Sequence, residues 1–101
     1  IGMAQLNPRE LDVINILWRS EEAMTSTDIV NEMRGLTQST VIAVLRKLLK
    51  EGLVEVDGVT HSGKVLSRTY RPTAASKEII MDNFAADYAS FKDVIAQSDN
   101  Q

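Results

Sequence analysis

TSTDIVNEMRG (residues 25–35), LTQSTVIAVLRKLLKEG (36–52) and LVEVDGVTHSGKVLSRTYRP (53–72) follow one another without a break, and their order decides the fold. Thr25 and Asp28 form a cap-and-acid pair at capping-box spacing, which predicts a helix from Ser26 to Arg34 that buries Ile29, Val30 and Met33. Gly35 can take the left-handed position that ends it. Thr37 caps the next helix after only a two-residue turn, a join that makes two helices cross steeply. Gly52 closes that helix. Leu53–Val56 and Val65–Arg71 read as two strands, with Gly58 and Gly63 bracketing a polar tip that holds Thr60, His61, Ser62 and Lys64. Helix, tight turn, helix, hairpin is the order of a winged helix-turn-helix, whose second helix is shaped for a DNA major groove.

The 37–52 helix carries the functional signal. At about 100° per residue, Val41, Leu45 and Leu48 form one buried stripe, with Val44 and Leu49 at its margins. Ser39, Ala43, Arg46 and Lys50 fall on the opposite side, flanked by Ile42 and Lys47. Small and polar residues come early on this face and bases come late. Gln38, Ser39, Thr40 and Ala43 are therefore expected at base edges, and Arg46, Lys47 and Lys50 at phosphates. His61 and Lys64 extend the surface onto the hairpin tip, read as a wing laid on a neighbouring phosphate or minor groove.

Upstream, Asn7-Pro8-Arg9-Glu10 is a strong helix start: a capping residue, a proline at the first helical position and an acid that can reach back. Leu11, Ile14, Leu17 and Trp18 then mark one face of a helix running to about Ser20, with Trp18, the single tryptophan, as a core anchor. Met24-Thr25 is short enough to pair as a strand with the later hairpin. Downstream, residues 73–97 read as one long helix. Ile80, Phe84, Tyr88, Phe91 and Ile95 recur at 4-4-3-4 spacing along it. So long an apolar stripe exceeds what a small body can cover and predicts a dimerisation surface. The expected architecture is mainly α with a small antiparallel hairpin. Residues 6–72 would form a winged-helix DNA-binding domain and residues 73–97 a C-terminal dimerisation helix.

Charge is distributed to match. The 101 residues carry a formal net charge of −3. Residues 1–37 hold three bases against six acids, and residues 72–101 two against five. Only residues 38–71, the reading helix and wing, are basic, with six bases against three acids. The acidic total is what supports a rival reading, a winged helix that binds protein rather than DNA.

Catalytic and metal-binding chemistry finds little material. There is no Cys, and His61 is the sole His, so neither a His-based triad nor a Cys/His metal cluster is expected. No Gly-rich phosphate loop appears, and Ser39 has no base beside it. No catalytic residue, metal or organic cofactor is expected. No stretch has the ~18–20 apolar residues of a membrane span, and no signal peptide opens the chain, so a cytoplasmic, membrane-free protein is expected.

Residues 6–72 resemble the BlaI/MecI/CopY transcriptional repressors. The resemblance rests on Glu10, the Leu17-Trp18 pair, Thr25-x-x-Asp28-Ile29, Thr40-Val41, Leu45 and Leu48, the Lys50-Glu51-Gly52 exit, and Tyr70-x-Pro72. It implies a homodimeric repressor on a near-palindromic operator, contacted through Gln38–Lys50 with Thr40 and Lys47 at motif positions. The chain departs from the family pattern at Ala43, where Thr is frequent, and at Lys47, where Arg is. It also lacks the cysteine-rich tail of the copper-responsive branch.

Overall fold

The computed structural model describes residues 6–83 and residue 85. Its elements follow in the order α1 (Pro8–Arg19), α2 (Ser26–Val30), α3 (Gln38–Lys50), β1 (Val54–Ser62) and β2 (Val65–Pro72). Residues 74–83 form a fourth helix, α4. Three helices and a hairpin enclose one core, built from Val13, Ile14 and Leu17 of α1, Ile29 of α2, Val41, Leu45 and Leu48 of α3, and Leu53 and Val54.

Local chemistry sets the helix ends. At α1 the capping box is reciprocal. The Glu10 amide donates to Asn7 Oδ1 at 2.9 Å, and the Asn7 amide donates to Glu10 Oε1 at 3.0 Å. Thr25 and Asp28 do the same for α2, at 3.1 Å in each direction. At the end of α3, Gly52 has φ of 76°. Its amide donates to Leu49 O, and that of Leu53 donates to Leu48 O, the Schellman closure that turns the chain into β1.

The structure corrects three expectations. First, α2 is five residues long and does not reach Arg34. Residues 31–37 form a longer connection, because Leu36 rather than Met33 fills the core there. Leu36 is buried and Met33 is exposed. Second, Trp18 is 38% exposed and is no core anchor. Its indole needs a hydrogen-bond partner, and at the surface it donates to Ser76 Oγ at 2.8 Å. Third, the hairpin has no loose tip. β1 runs through Thr60 and His61 to Ser62, which pairs with Val65, so only Gly63 and Lys64 turn the chain. Gly63, with φ of 66°, takes the left-handed position that a two-residue hairpin turn requires. Ile80, the first residue of the expected apolar stripe, is partly buried against the chain's own core beside Ile79. The rest of the expected stripe, Phe84, Tyr88, Phe91 and Ile95, lies outside the described residues.

The predicted pairing of Met24 with the hairpin is present, through two hydrogen bonds with Tyr70 of 3.0 and 2.8 Å. The hairpin register shifts once, between Val56 and Gly58, which leaves Asp57 as an extra residue. Arg71 holds the base of the hairpin by pairing with Glu55 at 2.9 Å and Asp57 at 3.5 Å.

Candidate nucleic-acid interface

The solvent-facing side of α3 lies between two tethers. On one side, Lys47 Nζ sits 2.7 Å from Glu10 Oε2 in α1. On the other, Gln38 Nε2 donates to Ser26 Oγ at the start of α2, at 2.6 Å. Between them Ser39, Ile42, Ala43, Arg46 and Lys50 are all exposed. No acid stands on this arc, and Arg46 and Lys50 have no ion-pair partner among the described residues. The exposed face of the helix is thus fixed in orientation from both flanks and carries uncommitted positive charge.

The first turn of α3 is held by hydroxyls. Thr37 Oγ1 accepts from the Thr40 amide at 3.2 Å and donates to Thr40 Oγ1 at 2.9 Å. Thr40 is only partly exposed, and its hydroxyl is already engaged in this cap. Of the four residues expected at base edges, the structure leaves Ala43 open and Ser39 exposed, with the Ser39 hydroxyl 3.4 Å from Thr37 Oγ1. It places Gln38 toward α2 and Thr40 toward Thr37.

Lys47, expected at a phosphate, is paired within the fold. Its side chain is 51% exposed, but its ammonium meets a Glu10 carboxylate that is only 4% exposed. Burial by itself would raise the Glu10 carboxyl. The Lys47 hydrogen bond, the Asn7 amide and the Lys47 charge outweigh it, and the pKa falls below the ordinary value of 4.5. The Lys47 pKa is raised in turn, chiefly by its hydrogen bond to Glu10. Glu10 therefore serves two ends at once, closing the α1 cap with one oxygen and anchoring α3 with the other. Both residues are matched positions in the family resemblance, yet only the fold shows them as partners, since 37 positions separate them in the chain.

On the hairpin, His61 and Lys64 are both exposed. His61 stands across from Leu66, and Val59 across from Arg68, so Val59, His61, Leu66 and Arg68 share one strand face. Val59 and Leu66 are largely solvent-exposed there. Pattern reading put Val59 in the hairpin tip and Leu66 in the second strand, and gave no warning that both are exposed. Among the described residues no group of three or more His, Cys, Asp or Glu is arranged to hold a metal ion.

The sequence profile of the penicillinase repressor family matches residues 6–98. The chain belongs to this family. The match spans the winged helix and most of the segment beyond it, in accord with the resemblance read from Glu10, Thr25-x-x-Asp28-Ile29 and Lys50-Glu51-Gly52. No curated protein matches the chain. Among solved structures, a mutant MepR from a multidrug-resistant Staphylococcus aureus clinical isolate superposes with a TM-score of 0.74 at 15% identity, covering 91% of this chain and 64% of MepR. Another S. aureus MepR mutant, bound to an oligodeoxyribonucleotide, gives 0.70 at 14% identity with the same coverage. Bacillus subtilis PadR in complex with operator DNA gives 0.68 at 16%, covering 81% of this chain and 49% of PadR. This member of the penicillinase repressor family thus spans just under two thirds of MepR and about half of PadR. At these identities the likeness is one of fold. No helix among the described residues is long and apolar enough to cross a membrane.

Proposed function

We propose that the protein is a sequence-specific DNA-binding repressor that acts as a homodimer on a near-palindromic operator. The observation that carries this reading is the exposed, acid-free arc of α3, held between the Glu10–Lys47 and Ser26–Gln38 tethers. A major groove admits one helix, and its walls are phosphates. Arg46 and Lys50 would meet those phosphates, Ser39, Ile42 and Ala43 would face the base edges, and His61 and Lys64 would extend the contact along the backbone. Residues 6–72 would bind the operator and residues 73–97 would join two copies. Family membership supports this reading, as do a MepR bound to an oligodeoxyribonucleotide and a PadR on operator DNA. Repression would follow from occupancy alone, since a bound dimer blocks polymerase and needs no chemistry, metal or cofactor. The protein would act in the cytoplasm.

A second reading, a protein-binding winged helix, draws on exposed Val59, Val65 and Leu66 on the hairpin. Selection of binding sites from random duplex DNA with the purified protein separates the two. A DNA-reading protein enriches a two-fold symmetric site with half-sites about one helical turn, ~10 base pairs, apart. A protein-binding module enriches nothing.

A further inference from the structure

We infer that α3 reads thymine through its C5-methyl group, with Ile42 and Ala43 as the reading residues. The inference rests on the DNA-binding reading above and names what the same face recognises. Ile42 is 42% exposed in a helix that otherwise buries Val41, Val44, Leu45 and Leu48. It has therefore been left out of the core while its neighbours pack. Ile42 and Ala43 lie between Ser39 and Arg46 in the middle of the exposed arc, so the centre of the face is apolar and its C-terminal end is cationic.

The polar alternatives are restricted by the bonds already made. Reading adenine through a bidentate amide needs an Asn or Gln aimed at the groove, and the bond from Gln38 Nε2 to Ser26 Oγ draws that amide toward α2. A carboxylate to accept from the cytosine amino group is absent from the arc, which leaves the Ser39 hydroxyl as its polar acceptor. Thr40, whose hydroxyl could serve several bases, is tied to Thr37. Arg46 remains free for a phosphate or for guanine. Across the whole major groove the only apolar feature is the thymine methyl. An exposed apolar centre flanked by bases fits a thymine-bearing groove. Ala43 has no hydroxyl, so at that position only van der Waals contact is on offer.

The test uses the full chain and the operator selected as described above. Each thymine is replaced in turn by deoxyuridine, which deletes one methyl and leaves every hydrogen-bonding group in place. Affinities are measured at one fixed salt concentration. At least one thymine per half-site should show a loss of about fourfold, the value of one buried methyl. That loss should vanish in Ile42→Ala or in Ala43→Ser, each of which should bind the thymine and deoxyuridine duplexes alike. Both positions are exposed, and retained helical circular dichroism confirms that the variants fold. Uniform indifference of the parent protein to deoxyuridine overturns the proposal while leaving DNA binding intact, as does a thymine preference that survives in both variants. Failure to select any duplex overturns the DNA-binding reading itself, and this one with it.

Discussion

Lys47 shows how a single side chain can look like a DNA ligand in the sequence and act as a strut in the fold. Its ammonium is matched to Glu10, so its charge is largely cancelled before any phosphate arrives. Arg46 and Lys50 differ from it in having no such partner among the described residues. Each phosphate contact removed lowers the dependence of log affinity on log salt by about 1. Arg46→Ala and Lys50→Ala should therefore each flatten the slope by that amount, whereas Lys47→Met should leave it unchanged. Lys47→Met should instead lower thermal stability. Glu10 has its pKa depressed in the folded state, so the stability it contributes is present above its ordinary value of 4.5 and is lost as pH falls through the lower folded value. The parent protein should melt higher than Lys47→Met at neutral pH, and the two curves should converge below pH 4.5, once Glu10 is protonated in both. A gap that persists unchanged into acid would mean that Lys47 stabilises through its stem rather than its charge.

At the scale of elements, a polar latch joins the end of α1 to the start of α4. Trp18 donates to Ser76 Oγ, and Ser76 Oγ donates to Thr73 O at 2.7 Å. Thr73 in turn donates to Gly52 O from its hydroxyl at 2.6 Å and to Leu53 O from its amide at 3.0 Å. Ser76 is buried, so its hydroxyl has few other partners to choose. Ser76→Ala should cost about 0.5–1.5 kcal/mol, the net worth of a hydrogen bond. It should also shift Trp18 emission to the red as the indole turns to water, which fluorescence reads directly.

The elements were legible to different degrees, and the reasons differ. Asn7-Pro8-Arg9-Glu10, Thr25-x-x-Asp28 and Gly52 act within one helical turn, so the sequence pattern places those helix ends correctly. The Val41, Leu45 and Leu48 stripe depends only on helical period, and it is buried as expected. Trp18 and Leu36 were misread because their states are set by distant partners, Ser76 and the core between α2 and α3, and Thr60–Ser62 because pairing with Val65–Ser67 carries the ladder up to a two-residue turn. On the reading face, Arg46 and Lys50 stand exposed where helical phasing puts them. The tethers on Gln38 and Lys47 were invisible, because Ser26 and Glu10 are remote in sequence.

At the scale of the whole molecule, the open issue is how one small winged helix obtains specificity in a genome. On the proposed function, one α3 would span one half-site, and one half-site offers few base contacts. Joining two copies makes the second contact intramolecular, which raises affinity for the full operator over a half-site by roughly 10²–10⁴ without any new residue at the DNA. The chain carries material for such a joint in Phe84, Tyr88, Phe91 and Ile95, all beyond the described residues, at the spacing that continues from Ile80. Ile80 itself is packed on its own core, so a dimer surface would begin after it. We predict that the parent protein sediments as a dimer at tens of micromolar, about the concentration that tests a micromolar Kd. Burying a large aromatic side chain contributes on the order of 1.5–3 kcal/mol. The Phe84→Ala, Phe91→Ala double variant should therefore shift toward monomer, and its preference for the full operator over a half-site should collapse. Its binding to a half-site should persist, because α3 and the hairpin are untouched. If the parent protein sedimented as a monomer yet still preferred the full site, two copies would have to meet only on the DNA, and the apolar stripe would need another occupant.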